Sequence, residues 1–365
     1  MKPCITAIGI ANPVYRTSQD KIAEFMIRAH QMKGKAKNRL LALYRATGIK
    51  YRYSVLKDYG SPPADFQFYE PNFTPFPGTA KRNEIYRKEA LPLAVAAIKD
   101  CLPARINKQL ITHLITVSCT GLYAPGLDIE LVETLGLPSD TRRTGINYMG
   151  CYAAFNALKM AKAICESATD AKVLIVCVEL CSLHFQKDST PDFMLSNALF
   201  GDGAAAVLIE NSGGVSGLEL VGDHCTVVPE SNSEMSWQIG DSGFEMVLSQ
   251  NVPDLIKRHI PQLTNELLAR HRWQLSDIDY FAIHPGGKGI ITSIQQALGT
   301  TAYDSRFPLK ILRDYGNMSS ATILFVLKEI WNNLNSSDHG KKVLCFAFGP
   351  GLTLESMILR ITKTS

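Results

Sequence analysis

Apolar segments of strand length alternate with longer segments of helical spacing along most of the chain. A strand that is buried on both faces forms a continuous apolar run, whereas a helix that packs on a core shows apolar residues every three or four positions. The pattern therefore predicts an α/β protein with a covered parallel or mixed sheet. The predicted strands are residues 114–118, 173–178, 204–209, 280–283 and 343–348, and the predicted helices are residues 129–135, 152–165, 252–269 and 320–331.

Turn-forming residues mark the connections between these elements. The Pro-rich stretch 61–78 predicts a long loop or a series of short turns. The polar, glycine-containing segment 211–217 is the clearest boundary near the middle of the chain. A chain of 365 residues is long enough for one large or two medium domains with a substantial core.

A weak internal repeat connects the two sides of that boundary. The segment 148–154, Tyr-Met-Gly-Cys-Tyr-Ala-Ala, resembles the segment 314–320, Asp-Tyr-Gly-Asn-Met-Ser-Ser. In each, a glycine precedes a reactive or polar residue, and small residues and an apolar helical run follow. Both halves also contain a Gly-rich turn that begins at a phenylalanine, Phe200 or Phe348. The repeat indicates two related halves, each delivering one residue from the start of a helix to a shared centre.

Composition and charge narrow the classes of protein that need to be considered. Apolar residues make up 46% and charged residues 20% of the chain, an ordinary globular mixture. The net charge of +4 does not predict nucleic-acid binding, and no apolar run is long enough for a membrane span. The N-terminus does not resemble a signal peptide. Nine cysteines without Cys-x-x-Cys pairs indicate neither a disulfide framework nor a zinc site, so we expect a cytoplasmic protein without a metal.

Cys151 is the first candidate for chemistry. It follows Gly150 and stands directly before an apolar run with helical spacing. A cysteine at a helix N-terminus faces the positive end of the helix dipole, which stabilises the thiolate. We therefore expect a thiol whose pKa is lowered, further so by a nearby histidine. The alternative is a buried structural cysteine, which is common for this residue type.

His284 and Asn317 are the other two candidates. His284 ends a predicted strand and precedes Pro-Gly-Gly, so its side chain is expected in an open loop at the sheet edge, where α/β proteins bind ligands. Asn317 precedes a helical run. The alternatives are a turn histidine without a role and an asparagine that caps the helix. Papain-like proteases share the order Cys, His, Asn, but the local Cys-Gly-Ser-Cys-Trp pattern and a secretion signal are absent here.

Seven sequence blocks together resemble the type III polyketide synthases related to chalcone synthase, within the thiolase superfamily. They are spread in order over most of the chain, and their joint occurrence is much more specific than any one of them. The blocks begin at Ile49 (Ile-Lys-Tyr-Arg-Tyr), Ala124 (Ala-Pro-Gly-Leu-Asp), Gly150 (Gly-Cys-Tyr), Leu199 (Leu-Phe-Gly-Asp-Gly-Ala-Ala-Ala), His284 (His-Pro-Gly-Gly), Tyr315 (Tyr-Gly-Asn-Met-Ser-Ser-Ala) and Phe348 (Phe-Gly-Pro-Gly-Leu-Thr).

The resemblance implies a five-layered α-β-α-β-α fold made of two pseudo-equivalent halves. These would be residues 1–213, carrying Cys151, and residues 214–365, carrying His284 and Asn317. It implies a homodimer that uses acyl-CoA and malonyl-CoA as substrates, without a separate cofactor, and that makes an aromatic or pyrone product. Cys151 would accept the acyl group, and His284 and Asn317 would be its catalytic partners.

The resemblance also implies a set of binding residues. Arg39 and Gly289 would contact coenzyme A, and Phe200 would separate the coenzyme A tunnel from the reaction cavity. The remaining substrate contacts would be Cys119, Thr120, Cys181, His184, Met246, Ser319, Gly349, Pro350 and Gly351.

The chain departs from the plant enzymes at several of these positions. Of three basic residues on the helix that faces the phosphates of coenzyme A, only Arg39 is present, with Ala42 and Ala46 at the other two positions. Arg45, Lys50 and Arg52 are candidates to replace them. Trp237 aligns with a glycine that sets the cavity length, so an altered cavity is expected. The alternatives are a β-ketoacyl-acyl-carrier-protein synthase III and a non-catalytic binding protein of the same fold.

Overall fold

The computed structural model describes residues 2–102, 107–211, 214, 216–229 and 231–362. Its strands are β1 Pro3–Ala11, β2 Tyr15–Ser18, β3 Tyr51–Ser54, β4 His113–Ser118, β5 Arg142–Asn147, β6 Lys172–Leu180, β7 Asp202–Asn211, β8 Gly217–Val227, β9 Met235–Gly240, β10 Gly243–Leu248, β11 Tyr280–Ile283, β12 Lys342–Gly349 and β13 Thr353–Thr362. Its α-helices are α1 Gln19–Ala29, α2 Gly34–Ala46, α3 Thr79–Cys101, α4 Leu127–Leu135, α5 Ala153–Ser167, α6 Pro191–Leu199, α7 Val252–Arg270, α8 Lys288–Leu298, α9 Arg306–Tyr315 and α10 Thr322–Asn332.

The predicted elements are present with small shifts at their ends. The five predicted strands correspond to β4, β6, β7, β11 and β12, and the four predicted helices to α4, α5, α7 and α10. The α-helices predicted to begin at residues 152 and 320 each begin with a 3-10 turn, Gly150–Tyr152 and Ser319–Ala321. Of the predicted mid-chain boundary, residues 212, 213 and 215 lie outside the described residues.

One mixed sheet of nine strands runs through the molecule, in the order β11-β12-β13-β8-β1-β7-β6-β4-β5. Its narrowest connection is between β1 and β8, which pair only at Cys4 with Glu219 and at Ile5 with Leu218. On one side of that connection β7 pairs antiparallel with β1 and β6, and β6 pairs parallel with β4. On the other side β13 pairs antiparallel with β8 and β12, and β12 pairs parallel with β11. The two sides thus repeat one topology.

Side-chain alternation along the strands builds five layers. On β6, Ile175 packs in a core with the central helices α5 and α10, whereas its neighbour Val176 packs with α1 and α3. On β12, Cys345 belongs to the same central core, whereas Phe346 packs with α7 and α8. Each sheet half is therefore covered on both faces, which explains the continuous apolar runs in its strands. The central helices α5 and α10 are the ones that follow the two repeated segments.

None of the helices in the described part of the chain is both long and apolar enough to cross a lipid bilayer.

Candidate active site

The turn that carries Cys151 is shaped by a glycine. The chain leaves β5 through Tyr148, whose φ is 61°, and Gly150, whose φ is 78°, before the 3-10 turn that leads into α5. A Cβ atom on Gly150 would lie 2.3 Å from Cδ of Pro350. Only glycine therefore fits at this left-handed position, and its absence of a side chain lets the Pro350 loop pack directly beside the turn that carries Cys151.

The turn that carries Asn317 is built in the same way. Gly316 has a φ of 73°, and a Cβ atom there would lie 2.8 Å from the carbonyl oxygen of Leu199. The backbone N–H of Asn317 donates to Leu199 O at 3.0 Å, and the N–H of Gly201 donates to Asn317 O at 2.8 Å. These two bonds fix Asn317 beside Phe200, the residue predicted to separate tunnel and cavity.

The side-chain amide of Asn317 is held by its oxygen. Oδ1 accepts hydrogen bonds from the backbone N–H of Ser319 at 2.9 Å and from the hydroxyl of Thr322 at 3.4 Å. Nδ2 then lies 3.9 Å from Sγ of Cys151. The oxygen therefore organises the turn, as the capping alternative expects, and it lies 4.0 Å from the thiol, close to the distance of Nδ2. The catalytic role of Asn317 stays a prediction.

His284 is buried at the end of β11 with its ring nitrogens unengaged. Its backbone N–H donates to Phe346 O at 2.8 Å, which extends the pairing of β11 with β12 by one residue. The side chain is 1% exposed, and neither Nδ1 nor Nε2 has a hydrogen-bond partner among the described residues. A Cβ atom on Gly286 would lie 3.6 Å from Nε2, so the glycine leaves this face of the imidazole open. Buried polar atoms normally have partners, so this ring is prepared for a ligand.

The charge state of the Cys–His pair differs from the sequence prediction. Burial raises the pKa of Cys151 to about 12, although hydrogen bonds from Ser319 and Asn317 lower it. Burial also lowers the pKa of His284 to about 3. At neutral pH both side chains are therefore uncharged. The predicted lowered pKa of the thiol is wrong for this structure, because desolvation outweighs the position at the start of the turn.

Cys151, His284 and Asn317 line one narrow cavity with a volume of about 20 Å³. The sequence places these residues up to 166 positions apart, and the two repeated turns bring them together. Of the predicted substrate contacts, seven line this cavity: Cys119, Thr120, Cys181, Phe200, Met246, Ser319 and Pro350. Gly349 and Gly351 flank Pro350 without lining the cavity themselves.

His184 and Trp237 form a rigid part of the wall beside this cavity. Nδ1 of His184 accepts the N–H of Phe244 at 3.0 Å, so its Nε2 carries the proton that is donated to Thr120 O at 2.7 Å. Burial lowers the pKa of His184 to about 3, so the ring is neutral. The indole of Trp237 lies edge-on to His184 and donates to Cys119 O at 2.7 Å. His184 faces a neighbouring cavity rather than the catalytic one.

Comparisons with known proteins agree with this geometry. The family model for chalcone and stilbene synthases, N-terminal domain, matches residues 2–213, and that for the C-terminal domain matches residues 219–362. The chain belongs to the chalcone and stilbene synthase family. It is similar to 1,3,6,8-tetrahydroxynaphthalene synthase of Streptomyces coelicolor, with 33% identity over 76% of this chain and 74% of that protein.

Further relatives extend the similarity over nearly the whole chain. The α-pyrone synthesis polyketide synthase-like Pks18 of Mycobacterium tuberculosis is 31% identical over 94% of this chain and 86% of that protein. The crystal structure of PKS-I from the brown alga Ectocarpus siliculosus superimposes with a TM-score of 0.90 at 28% identity, covering 99% and 98% of the two chains. Two Dictyostelium discoideum polyketide synthases also match, and this chain spans 10% and 11% of their lengths. The protein is a type III polyketide synthase with a thiolase-like fold.

A second cleft of the synthase adjoins the catalytic cavity. The two share Leu248, Gly286 and Ile290 in their linings. The cleft has about 710 Å³ of empty space and passes between the end of α2 and the start of α8, where Gly289 lies. Arg39, the other residue predicted to contact coenzyme A, is exposed on α2 and is not part of the lining.

The basic residues around this cleft only partly match those that the sequence offered as contacts for the phosphates of coenzyme A. Arg39 lies one helical turn before Leu43, which lines the cleft, so both are on one face of α2. Arg45 and Lys50 are exposed, but Arg52 is buried and cannot contact a phosphate at the surface. The exposed Lys288, which the sequence did not single out, lines the cleft opposite α2.

A buried carboxyl group that the sequence analysis missed supports the reaction cavity. Glu179 of β6 accepts hydrogen bonds from Cys119 N and from the Thr120 hydroxyl, each at 3.0 Å, and from the Ser320 hydroxyl. Burial raises its pKa to about 7. The sequence does contain a signal for this buried group, because Glu179 is a charged residue within the otherwise apolar run of β6. Glu179 thus bonds two residues that line the cavity, Cys119 and Thr120, and also Ser320, the neighbour of the lining residue Ser319.

Proposed function

We propose that this synthase loads an acyl group from a starter acyl-CoA onto Cys151 and extends it with malonyl-CoA. The observation that carries the proposal is the meeting of three groups in one cavity. The Cys151 thiol lies 3.9 Å from the Asn317 amide nitrogen, and the His284 imidazole, with no other partner in the described chain, lines the same cavity. A nucleophile, a base and an amide donor are the groups that thioester chemistry requires.

Loading begins from an uncharged thiol and an uncharged imidazole. As Sγ of Cys151 attacks the thioester carbonyl, His284 takes the proton from the thiol. The new S–C bond forms on Cys151, the bond from the carbonyl to the sulfur of coenzyme A breaks, and the proton passes from His284 to the departing thiolate. The low pKa of His284 makes it a weak base, so proton transfer and attack occur together.

Extension uses the same cavity for a second reaction. The malonyl thioester loses carbon dioxide, and the electron pair of the broken C–C bond forms an enolate whose oxygen carries the developing charge. The Asn317 Nδ2–H and an N–H of His284 donate to that oxygen. The enolate carbon then attacks the acyl group on Cys151, the S–C bond breaks, and the released thiolate takes up one proton from solvent, because its own proton left with coenzyme A in the loading step. Donors that are oriented before reaction stabilise such an oxyanion by several kcal/mol, equivalent to about 10²–10³ in rate for one donor.

The neighbouring cleft supports coenzyme A as the carrier of both substrates. It leads from the surface at Lys288 to residues that it shares with the catalytic cavity, Gly286 among them. Gly289, at the first turn of α8, leaves the passage open because it has no side chain. An extended thioester arm would lie along this apolar cleft, with its phosphates at the exposed end.

The decisive experiment is mass spectrometry of the products from purified synthase, malonyl-CoA and a panel of starter acyl-CoAs. We expect polyketide products and an acyl adduct on the Cys151 peptide, without any carrier protein. A strict requirement for malonyl-carrier protein would favour the synthase III alternative. Absence of both adduct and product would favour the non-catalytic binding protein.

The product is proposed to be a cyclised aromatic polyketide or a pyrone. Two of the relatives are named for products of these two kinds, tetrahydroxynaphthalene and α-pyrone. The bulky Trp237 in the cavity wall supports a product chamber whose shape differs from that of the plant enzymes. We also propose that the synthase acts as a homodimer in the cytoplasm, which light scattering and cell fractionation would test.

A further inference from the structure

The catalytic cavity is smaller than the acyl group that Cys151 is proposed to carry. A volume of about 20 Å³ holds little more than one water molecule. Loading therefore requires part of the cavity wall to shift. The hairpin of β9 and β10 contributes more of this wall than any other continuous segment that the structure describes, namely Met235, Ser236, Trp237, Met246 and Leu248.

The position of this hairpin depends on its contacts with the rest of the synthase. In the described part of the chain, β9 and β10 pair with each other and with no strand of the nine-stranded sheet. A two-stranded hairpin on its own is marginally stable in water. The hairpin, with its turn at residues 240–243, is therefore held in place by bonds to other segments.

Thr79, the first residue of α3, holds the turn of the hairpin. Its backbone N–H donates to Asp241 O at 2.8 Å. Its hydroxyl donates to Gly240 O and accepts the N–H of Gly243 at 2.8 Å. One hydroxyl thus joins both sides of the turn, and α3 packs on β1, β6 and β7 of the large sheet. The turn is therefore fixed, through α3, to the sheet of the first half.

A second side chain also bonds to this part of the hairpin. Nε2 of Gln186 donates to Ser242 O at 3.2 Å and to Phe244 O at 3.3 Å. A Cβ atom on Gly243 would lie 2.8 Å from Cδ of a fully buried arginine of α3, so the turn also packs closely on that helix. Thr79 and Gln186 are outside the linings of the catalytic cavity and its neighbour. They hold the wall without touching the contents of the cavity.

The turn is connected directly to residues that line the catalytic cavity. Trp237 and Met246 are paired across the hairpin, three positions from Gly240 and Gly243 respectively. At about 3.4 Å per residue, this places the turn roughly 10 Å from the cavity wall. The indole of Trp237 donates to Cys119 O, so the hairpin is held both at the turn and at the wall. Widening the cavity on this side therefore works against the bonds at the turn.

We propose that Thr79 is a positioning residue that favours small starter acyl groups, because its hydroxyl holds the hairpin against the catalytic cavity. The inference rests on the proposed function. A bulky acyl group on Cys151 displaces the hairpin and so breaks the bonds of the Thr79 hydroxyl to the turn. An acetyl group needs less room and leaves more of these bonds intact. The free energy of this displacement lowers the loading rate of bulky starters relative to small ones.

The test compares the loading rates of small and bulky starters. Thr79→Val keeps the shape of the side chain but removes the hydroxyl, whereas Thr79→Ser retains the hydroxyl. Thr264→Val removes a buried hydroxyl that donates to Ile260 O within α7, outside both linings, and is the matched control. Each full-length enzyme is mixed with acetyl-CoA, isobutyryl-CoA or benzoyl-CoA without malonyl-CoA, and acylation of Cys151 is followed by mass spectrometry of the intact protein.

We expect Thr79→Val to raise the ratio of the benzoyl to the acetyl loading rate about tenfold, the size expected for the loss of one or two hydrogen bonds between uncharged groups. Thr79→Ser and Thr264→Val should keep the wild-type ratio. A purely structural role of Thr79 would slow both starters alike and leave the ratio unchanged. A wild-type ratio in Thr79→Val, or an equally altered ratio in Thr79→Ser, would overturn the proposal.

Two further variants keep the test decisive. If thermal unfolding shows that Thr79→Val is not folded, Gln186→Met, which removes the bonds to Ser242 O and Phe244 O, takes its place, and an unchanged ratio there overturns the proposal. In a Trp237→Ala background, Thr79→Val should have little further effect, because the hydroxyl acts through the wall that Trp237 forms. A fully additive effect would contradict this route. A wild-type enzyme that no acyl-CoA acylates would refute the proposed function itself, a different result from an unchanged ratio.

Discussion

The two repeated turns use one backbone design for two different chemical tasks. In the first half, Gly150 enters a 3-10 turn that presents the thiol of Cys151 at the start of α5. In the second half, Gly316 enters a turn that presents the amide of Asn317 before α10. The thiol lies 3.9–4.0 Å from the two amide atoms, whereas the amide oxygen is fixed by two hydrogen bonds. In the proposed mechanism, the first turn supplies the reacting thiol and the second supplies a hydrogen-bond donor whose position is fixed.

The difference extends to electrostatics. An amide carries no charge, so burial costs it little once its oxygen is bonded. A thiolate in the same surroundings is strongly disfavoured, and the pKa of Cys151 is raised accordingly. In the proposed mechanism the Cys151 thiol therefore depends on His284 to take its proton at the moment of attack, whereas the Asn317 amide acts from a prepared geometry. The following predictions separate the two roles.

The largest effect is expected for Cys151→Ala. It removes the acyl acceptor but leaves Asn317 and His284, so product formation should fall more than about 10³-fold while malonyl-CoA still loses carbon dioxide and yields acetyl-CoA. Measurement of product, acetyl-CoA and adduct mass tests this. Cys165→Ala, a buried cysteine on the same central helix, is the control and should retain the adduct. An adduct on Cys119, Cys165 or Cys181 instead would disprove the assignment.

Asn317→Ala should have the opposite effect on the two steps. Decarboxylation of malonyl-CoA should fall about 10²–10³-fold because one oxyanion donor is lost, whereas acylation of Cys151 should persist. Asn317→Asp is the sharper variant, since its carboxylate still accepts from Ser319 N and Thr322 but lacks the donor. His284→Ala should impair both steps. If Asn317→Ala decarboxylated malonyl-CoA at the wild-type rate, Asn317 would be only a capping residue.

The pH dependence of thiol reactivity distinguishes a neutral Cys–His pair from an ion pair. With a thiol pKa of about 12, Cys151 is protonated throughout pH 7–10, and the thiolate fraction rises with pH. Its alkylation rate by iodoacetamide should therefore rise about tenfold per pH unit over this range. Cys151→Ala reports the background alkylation of the other thiols. An alkylation rate that is already constant above pH 7 would instead show that Cys151 is a thiolate at neutral pH, as the lowered pKa expected from the sequence implies.

Local sequence pattern correctly predicted the buried strands and the two turns that begin at a glycine. The apolar runs of β6 and β12 follow from burial on both faces, and the glycines before Cys151 and Asn317 mark the left-handed turns. Charge states were not predictable in this way, because the pKa of Cys151 depends on how deeply the folded chain buries it. The position of Cys151 at the start of a helix predicted a lowered pKa, whereas its pKa is raised.

Features assembled from distant segments could not be predicted from local pattern. Residues from 119 to 350 line the catalytic cavity, and no periodicity connects them. The resemblance predicted His184 as a substrate contact, but the structure places it on a neighbouring cavity, with both ring nitrogens bonded to Thr120 and Phe244. The hairpin of β9 and β10, which carries Trp237 and Met246 into both cavity walls, was also missed.

The two halves also face each other across the cleft that we propose for coenzyme A, and here the smallest effect is expected. The first half offers Arg39 on α2, and the second offers Lys288 at the start of α8. Both are exposed, so contacts with the phosphates are screened by salt and contribute modestly to binding. Arg39→Ala should raise KM for malonyl-CoA several-fold and change kcat little, because a contact common to ground state and transition state is lost.

Two further variants, Lys288→Ala and Lys37→Ala, allow the contributions of the two halves to KM for malonyl-CoA to be compared. Lys37 is an exposed cation two positions from Arg39, on the other side of α2, and its removal should leave KM unchanged. If Lys288→Ala raises KM as much as Arg39→Ala, both halves hold the cofactor end of the substrate. If Arg39→Ala has no effect and Lys288→Ala does, the second half alone provides the phosphate contact. In either case the increase in KM should shrink at high ionic strength, because only an exposed charge contact is sensitive to screening.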